Sequence, residues 1–257
     1  MSILFDEWVF GPVKSRRLGS SLGINLLPGS HKWCNFNCVY CECGWTDSIP
    51  DDVDLPDPET VVAQVEKKLS ELYQKKQVID SLTFAGNGEP TLHPYFPEIL
   101  DEIIRLRNVY FPKAKVSVLS NSTTVDNERV LEAITRADQP IMKLDAGTDK
   151  MFQMINQPVS DINVRLIVKQ LAKMEGKCII QTLFFRGEFN GQKIDNSTEG
   201  EVDAWLYNLK LIKPSKVMIY SLDRHTPARN ISKISYIEML EIAKKVEDAG
   251  FKVQINE

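Results

Sequence analysis

Short apolar runs and longer helical patterns alternate along most of this chain. In "PDPETVVAQVEKKLSELYQ", Val62, Val65, Leu69 and Leu72 recur at the spacing of one helical face, after prolines and acids that favour a helix start. Comparable amphipathic patterns follow the other apolar runs. The runs predict buried strands at residues 22–28, 78–86, 115–120, 140–146, 177–185 and 216–222. The pattern therefore predicts six strand–helix units, the last of them ending in the helix "YIEMLEIAKKVEDAG", followed by the apolar run "FKVQIN".

Regular alternation of strands and helices predicts an α/β fold with a parallel sheet and right-handed crossovers. Alternation alone does not separate a doubly wound sheet from a complete or partial barrel. Polar residues follow most predicted strands: cysteines after the first, "GNGEP" after the second, "SN" after the third, "D" ending the fourth and "DRH" after the sixth. Ligands bind at the carboxyl ends of strands in both architectures, so we expect one site built from many loops.

The 257 residues contain no internal repeat, low-complexity segment or linker, so we expect a single domain over residues 1–257. Within it, residues 1–20 are expected to form an N-terminal extension and residues 20–222 the core. Residues 223–257 are expected to add a C-terminal helix and strand.

Composition narrows the class of protein. An apolar content of 43% and a charged content of 26% are those of an average globular protein, and a net charge of −4 gives no electrostatic argument for nucleic-acid binding. The start "MSILFDEWVF" lacks the charge and length pattern of a secretory signal, and no stretch approaches the roughly 18 apolar residues of a membrane span. We therefore expect a cytoplasmic protein without membrane contact. In that compartment, clustered cysteines are more often metal ligands or redox groups than disulfides.

Four of the five cysteines lie within the ten residues "CNFNCVYCEC". Cys34, Cys38 and Cys41 form a C-x3-C-x2-C motif. Structural zinc needs four ligands, and only Cys43 or His31 is at hand to complete the set. Three thiolates in one loop suit a cubane iron–sulfur cluster in which one iron stays open to another ligand.

This motif, with the aromatic Tyr40 before its last cysteine and a strand ahead of it, resembles that of the radical SAM superfamily. The stretches "FGPVKSRRLGSSLGINLLP", "CNFNCVYCECGWT", "FAGNGEPTLHP" and "YSLDRHTPA" together resemble the short radical SAM proteins classed with the tRNA wyosine-synthesis (4-demethylwyosine synthase-like) group. The resemblance covers the chain from Phe10 to about Ala228. It implies a partial (βα)6 TIM-type barrel with parallel strands, a 4Fe–4S cluster on Cys34, Cys38 and Cys41, and S-adenosylmethionine at the open iron.

The resemblance also implies a reaction class. The cluster would cleave S-adenosylmethionine reductively, and a 5′-deoxyadenosyl radical would abstract hydrogen from a substrate. A small molecule, a nucleoside or tRNA would be the substrate, and a flavodoxin or ferredoxin the electron donor. The sequence has no cysteine before Cys34, where the wyosine enzymes carry those of a second cluster. The reaction class is therefore better supported than the substrate.

Several residues after the predicted strands match cofactor-binding positions of the superfamily. The glycine-rich motif, which would contact the methionyl amino group, comprises Gly86, Asn87, Gly88 and Glu89. Its alternative role is a strand-ending turn before Pro90. Ser120 and Asn121 match positions that contact the ribose or carboxylate, and otherwise form a Ser/Asn turn.

Three further residues have a cofactor role and a structural alternative. Asp145 is either a ribose or substrate ligand or the N-cap of the next helix. Gln181 lies in the middle of a strand, where its amide is expected to face the barrel interior and the cofactor. Tyr40 is expected to offer its backbone or ring to the adenine, with core packing as the alternative.

Four basic residues are candidate substrate contacts. Arg16 and Arg17 could bind an anion, pair with acids of the barrel or remain solvated. Arg224 and His225 follow the last core strand, where substrate could enter, and arginine suits carboxylate or phosphate recognition. Cys43 is expected to take no part in the site.

Two other functions compete with the radical SAM enzyme acting on an unidentified substrate. The chain could be an activase that installs a glycyl radical on a partner protein. It could also be a non-catalytic metal-binding interaction module.

The ligand assignment makes a direct prediction. Cys38→Ala removes one thiolate ligand, so we expect it to abolish both the cluster and turnover. Cys178→Ala is the matched control, because a thiol at the start of a strand is ordinary packing and its loss should leave both intact. Iron content and visible absorbance after anaerobic reconstitution check this. A Cys38→Ala protein that keeps its cluster would contradict the assignment.

Overall fold

A curved sheet of mostly parallel strands forms the centre of the computed structural model, which describes residues 3–46, 53–224 and 226–256. The strands are β1 (Val9–Ser15), β2 (Gly19–Ile24), β3 (Ser81–Phe84), β4 (Lys115–Ser120), β5 (Gln139–Lys143), β6 (Ile179–Phe189), β7 (Gln192–Asp195), β8 (Lys216–Ser221), β9 (Ile231–Lys233) and β10 (Val253–Asn256). The helices are α1 (Pro58–Gln74), α2 (Phe96–Tyr110), α3 (Glu128–Arg136), α4 (Asp149–Asn156), α5 (Val164–Ala172), α6 (Glu199–Ile212) and α7 (Tyr236–Asp248).

The strand order is β1-β2-β3-β4-β5-β6-β8-β10, and every pairing from β2 to β10 is parallel. The helices cover one face of this curled sheet. In α1 the buried positions are Val61, Val65, Leu69 and Leu72, whereas Val62 is only partly buried, so the predicted face is shifted by one residue at its start. The predicted partial barrel of parallel strands is confirmed.

The sequence pattern missed several elements of the sheet. The strand β1 pairs antiparallel with β2, and its register shifts between Phe10 and Val13, where Pro12 cannot donate to the ladder. The long strand β6 continues past the barrel and pairs antiparallel with β7 and β9. The expected C-terminal strand is present as β10, which lies parallel to β8 and so extends the barrel sheet.

A chain of hydrogen-bonded hydroxyl groups crosses the concave face of the sheet from β2 to β5. Ser21 Oγ lies 2.7 Å from Thr83 Oγ1, and Ser81 Oγ lies 2.9 Å from the same atom. Ser117 Oγ is 2.8 Å from Ser81 Oγ and donates to Gln139 Oε1 at 2.9 Å. Because each buried hydroxyl has a partner in the next strand, this polar row costs little desolvation energy.

The turn between β1 and β2 reaches across the open side of the barrel. Leu18 packs in a small apolar cluster with Ile141, Ile179 and Met218 on the concave face. The Arg17 guanidinium lies 4.7 Å from the centre of the Tyr220 ring, on β8. This turn therefore links the first strands of the sheet to its far edge.

No helix in the part of the chain that the structure describes is long and apolar enough to cross a membrane.

Loss of one hydroxyl from the polar row should destabilise the barrel. Ser117 is fully buried, and Ser117→Ala leaves Ser81 and Gln139 without one partner each. We expect the free energy of unfolding to fall by about 2 kcal/mol. Ser160→Ala, on an exposed loop, should change it by less than about 0.5 kcal/mol. Urea denaturation of both variants measures the difference, and equal stabilities would contradict this role.

Candidate metal and cofactor site

The cysteine loop, residues 25–46, follows β2 and has no helix or regular strand of its own. Two isolated bridges attach it to the rest of the molecule. Trp33 pairs with Gly88 in the glycine-rich motif, and Phe36 pairs with Pro158 after α4. The loop therefore takes its shape from contacts with distant segments.

The five cysteines are free thiols, and Cys34 and Cys38 are buried in the loop while Cys41 is partly exposed. Backbone N–H of Phe36 donates to Cys34 Sγ at 3.4 Å. The side-chain amide of Asn156 donates to Cys38 Sγ at 3.4 Å. Such N–H donors stabilise thiolates that bind iron.

The electrostatics of the thiols combine burial with nearby positive charge. Burial raises the pKa of Cys34 to about 12 and also raises that of Cys38. Lys32 opposes the shift at Cys34, and Lys143 opposes it at Cys38. A thiol must lose its proton to bind a metal, so the two lysines favour the ligand form.

The glycine-rich motif is packed tightly against the cysteine loop. A Cβ atom on Gly88, where φ is +147°, would lie 1.8 Å from the Trp33 carbonyl oxygen. A Cβ atom on Gly86 would lie 2.3 Å from Asn25 Oδ1. Both positions thus require glycine because other segments of the chain pack directly against them. This close packing sets the position of Glu89.

Asn87 has no polar group left for a ligand. Its backbone N–H donates to Asn25 Oδ1 at 3.1 Å, and its carbonyl accepts from Trp33 N–H at 2.8 Å. Its side chain accepts from Phe5 N–H and donates to the carbonyls of Phe5 and Pro28. These bonds give Asn87 a structural role that joins the N-terminal segment to the motif, and its predicted cofactor contact stays a prediction.

Glu89, Ser120 and Asn121 lie together beside the first cysteine. The Glu89 carboxylate accepts from the Asn121 backbone N–H at 2.5 Å and from Thr91 N–H at 3.1 Å. Burial raises the pKa of Glu89, while these donors and the Ser120 side chain lower it. The Asn121 amide lies 3.7 Å from Cys34 Sγ. Residues predicted from three separate stretches therefore meet at one place.

Asp145 is the centre of a second buried network, on the other side of the loop. Its carboxylate accepts hydrogen bonds from the Tyr40 hydroxyl, the Leu183 N–H at 3.0 Å and the Asn156 amide at 3.0 Å. Lys143 Nζ donates to the Tyr40 hydroxyl at 2.7 Å and lies 3.9 Å from Asp145. The N-cap of the next helix is Thr148, so the capping alternative for Asp145 was wrong.

The Tyr40 side chain is occupied by this network. Its hydroxyl bonds Asp145 and Lys143, and its ring packs edge-on against Phe185 with centroids 5.5 Å apart. Burial keeps the pKa of Tyr40 well above its ordinary value, so the hydroxyl stays protonated. The ring of Tyr40 therefore has the alternative role, core packing. A contact with the adenine would have to come from the backbone of Tyr40.

Gln181 is paired in register with Lys143 on the neighbouring strand, so the two side chains lie on the same face. It is 7% exposed, and among the described residues its Nε2 has no hydrogen-bond partner. A buried amide donor without an acceptor is costly unless a ligand supplies one. This orphaned donor fits the interior position predicted for Gln181.

Three of the four predicted substrate residues have protein partners. Arg16 pairs with Asp223 at 3.4 Å, and Arg17 stacks on a ring in the barrel. Arg224 pairs with Glu42, the residue after the last cysteine of the motif, at 2.7 Å. The fourth, His225, lies outside the described residues.

Cys43 is closer to the site than its spacing indicated. Its thiol donates to the Gly86 carbonyl at 3.3 Å. A hydrogen bond from Cys43 is the largest cause that lowers the pKa of Cys41, to about 5. The expectation that Cys43 takes no part in the site does not describe these contacts. Cys178, by contrast, is buried directly before β6.

Sequence reasoning missed Lys32, Lys143 and Asn156. Lys143 ends β5 directly after the apolar residues Ile141 and Met142, and a lysine in that place is a signal for an interior polar site. Lys32 lies two residues before Cys34 yet is only 4% exposed, and nothing in its neighbours predicts that burial. Asn156 ends a short helix that no clear periodicity announced.

The donor set fits a 4Fe–4S cluster on Cys34, Cys38 and Cys41. Three thiols share one loop, amide N–H groups point at two of the sulfurs, and two lysines add positive charge nearby. Among residues 3–46, 53–224 and 226–256, no three His, Cys, Asp or Glu side chains converge to hold a single metal ion. Each cysteine ligand of a cubane cluster binds a different iron atom, so the three sulfurs do not have to converge on one position.

Comparison with known proteins gives the class. The profile of the Radical SAM superfamily matches residues 30–192, more than half of the chain, so the chain belongs to that superfamily. Members use a 4Fe–4S cluster and S-adenosylmethionine. Within it, the chain belongs with the UPF0026 proteins: it is 32% identical over 236 residues to the one from Helicobacter pylori and covers 91% of itself and 71% of that relative.

The chain is also 31% identical over 255 residues to a protein from Brachyspira hyodysenteriae named GTPase Obg. That match covers 99% of the chain but only 35% of the relative. The chain therefore spans about a third of that protein.

Solved structures support the fold. A radical SAM methyltransferase from Sphaerobacter thermophilus superposes with a TM-score of 0.67 at 13% identity, over 92% of this chain and 65% of that one. Archaeal TYW1 superposes with a TM-score of 0.56 at 15% identity, over 89% and 72%. At these identities the likeness shows the partial barrel alone.

The contact between Gly88 and Trp33 makes a sharp prediction. Gly88→Ala forces a Cβ atom against a backbone carbonyl at a φ that alanine rarely adopts. We therefore expect the free energy of unfolding to fall by about 3 kcal/mol, and the protein to take up little cluster. Gly200→Ala, in the first turn of α6 with nothing within 4 Å, should stabilise by up to about 1 kcal/mol. Thermal unfolding and iron content report both effects. Equal behaviour of the two variants would contradict the packing argument.

Proposed function

We propose that this protein is a radical SAM enzyme that cleaves S-adenosylmethionine reductively and abstracts hydrogen from a substrate. The observation that carries the proposal is the meeting of Cys34, Glu89 and Asn121, which come from three segments, beside the concave face of a partial barrel. We assign the cluster ligands to Cys34, Cys38 and Cys41. When bound, the cluster and S-adenosylmethionine together supply a 5′-deoxyadenosyl radical.

The residues of this chain prepare the site in three ways. Asn121 and Asn156 direct amide N–H groups at two ligand sulfurs and so stabilise their negative charge. Glu89 is a buried carboxylate suited to accept a charge-assisted hydrogen bond from the methionyl amino group. The buried Asp145 network fixes the loop and keeps water away from this side of the site.

We place the other cofactor contacts around these groups. Ser120 lies beside Glu89, and Gly86 and Gly88 precede Glu89 in the motif that pairs with the cysteine loop. Asp145 follows β5 and lies beside the site. Its carboxylate is engaged by Tyr40 and Asn156, so we give it the role of orienting Tyr40. Gln181 offers the orphaned donor on β6.

We propose that substrate occupies the interior of the barrel above the hydroxyl row. Lys143, Gln181 and Arg17 give this face positive charge and hydrogen-bond donors, which favours a polar substrate. A small molecule, a nucleoside or a tRNA end fits that chemistry, and an electron donor such as flavodoxin or ferredoxin would reduce the cluster. Arg224, held by Glu42, borders the cysteine loop, where substrate would enter.

The proposal predicts a specific product. Reconstituted under anaerobic conditions and treated with dithionite and S-adenosylmethionine, the protein should release 5′-deoxyadenosine, measured by liquid chromatography. Heat-inactivated protein and protein without dithionite are the controls. A cluster that never yields 5′-deoxyadenosine would overturn the enzymatic claim, and stoichiometric zinc without iron would favour a metal-binding interaction module.

A further inference from the structure

Lys32 is a buried cation inside the cysteine loop. It precedes Cys34 by two residues and is 4% exposed. Its Nζ donates to the Gly44 carbonyl at 3.2 Å and reaches Asn37 Oδ1 at 3.5 Å. Both acceptors belong to the same loop, so the ammonium group lies within the segment that carries the thiols.

The direct partners of Lys32 are neutral. Gly44 and Asn37 offer carbonyl oxygens, and the ion pairs formed among the described residues do not include Lys32. A buried ammonium group is costly without negative charge nearby. Glu42, the one carboxylate of this loop, pairs with Arg224 instead. Asn37 adjoins Cys38, and the Gly44 N–H donates to the Cys41 carbonyl at 2.9 Å, so both acceptors of Lys32 adjoin cysteines of the motif. The positive charge of Lys32 lowers the pKa of Cys34 and Cys41.

Lys143, the other lysine beside the thiols, is in a different situation. It donates to the Tyr40 hydroxyl and lies 3.9 Å from the Asp145 carboxylate. Burial lowers the pKa of Lys143, but Cys38 and Asp145 together raise it above its ordinary value. Its charge is therefore shared with a protein carboxylate, whereas the hydrogen-bond partners of Lys32 are neutral oxygens of the cysteine loop.

Three thiolates bring three negative charges into this buried loop, and reduction of a cluster adds one more. The reduction potential of an iron–sulfur centre depends on its net charge, its hydrogen bonds and its exposure. A fixed positive charge at short range in a water-poor loop stabilises the reduced state more than the oxidised state.

We propose that Lys32 is a positioning residue that supplies an internal counter-charge to the cluster held by Cys34, Cys38 and Cys41 and so makes the cluster easier to reduce. The inference rests on the proposed function, because it takes these three cysteines as the ligands. It assigns to the loop itself a role in setting the potential at which an electron donor can act.

Three substitutions separate charge from structure. Lys32→Met removes the charge and the donor, Lys32→Gln removes the charge but keeps a donor for the Gly44 carbonyl, and Lys32→Arg keeps both. Lys113→Met is the matched control, since it removes the same charge from an exposed loop before β4. Each reconstituted protein is assayed for iron and sulfide, and its midpoint potential is measured by EPR-monitored titration without S-adenosylmethionine.

We expect the midpoint potential of Lys32→Met and Lys32→Gln to become more negative. At a fixed solution potential, their ratio of reduced to oxidised cluster should fall several-fold. Lys32→Arg and Lys113→Met should match the wild type. Lys32→Met could fail to take up a cluster. In that case the conclusion is supported if Lys32→Arg loads normally and Lys32→Gln either has a lowered midpoint potential or also loses its cluster.

Two results would overturn the inference while leaving the proposed function in place. One is a wild-type potential in Lys32→Gln, which would show that Lys32 only ties the loop to Gly44. The other is an equal shift in Lys113→Met, which would reduce the effect to overall charge. A wild-type protein that takes up no cluster would instead overturn the proposed function, and this inference with it.

Discussion

The arrangement of this site depends on the buried carboxylate of Asp145. One oxygen accepts from the Tyr40 hydroxyl in the cysteine loop and from the Asn156 amide at the end of α4; the other accepts from the Leu183 N–H in β6. A single 2% exposed side chain thus joins the barrel to a loop that has no regular structure of its own. A buried carboxyl group needs hydrogen-bond partners, and both oxygens of Asp145 have them.

The opposite side of the loop is held by a different kind of constraint, the close packing of backbone against backbone. Gly88 pairs with Trp33, and Asn87 uses all its polar groups on its neighbours. Glu89 is thereby placed where its carboxylate meets the end of β4 and Asn121 reaches Cys34. Ordered thiols on a loop and an ordered carboxylate beside them are what an iron–sulfur cluster with a chelating cofactor requires.

Much of the fold follows from local sequence, and the site only in part. Period and alternation are local properties, so the parallel strands and the long helices could be predicted, as could the three cysteines by their spacing. The eight-residue helix α4 and the proline-containing strand β1 carry weak local signals. The use of Asn87 as a structural joint depends on a partner 82 residues away, which no local pattern encodes. The burial of Lys32 depends on the fold of an irregular loop, which has no periodicity to predict it.

The central claim is that the cysteine loop holds a cluster with one iron open to S-adenosylmethionine. EPR spectroscopy of the reduced, reconstituted protein, recorded before and after addition of S-adenosylmethionine, tests it most directly. We expect the signal of a reduced 4Fe–4S cluster, and a change in that signal when the cofactor binds the open iron. A cluster signal that S-adenosylmethionine leaves unaltered would contradict it.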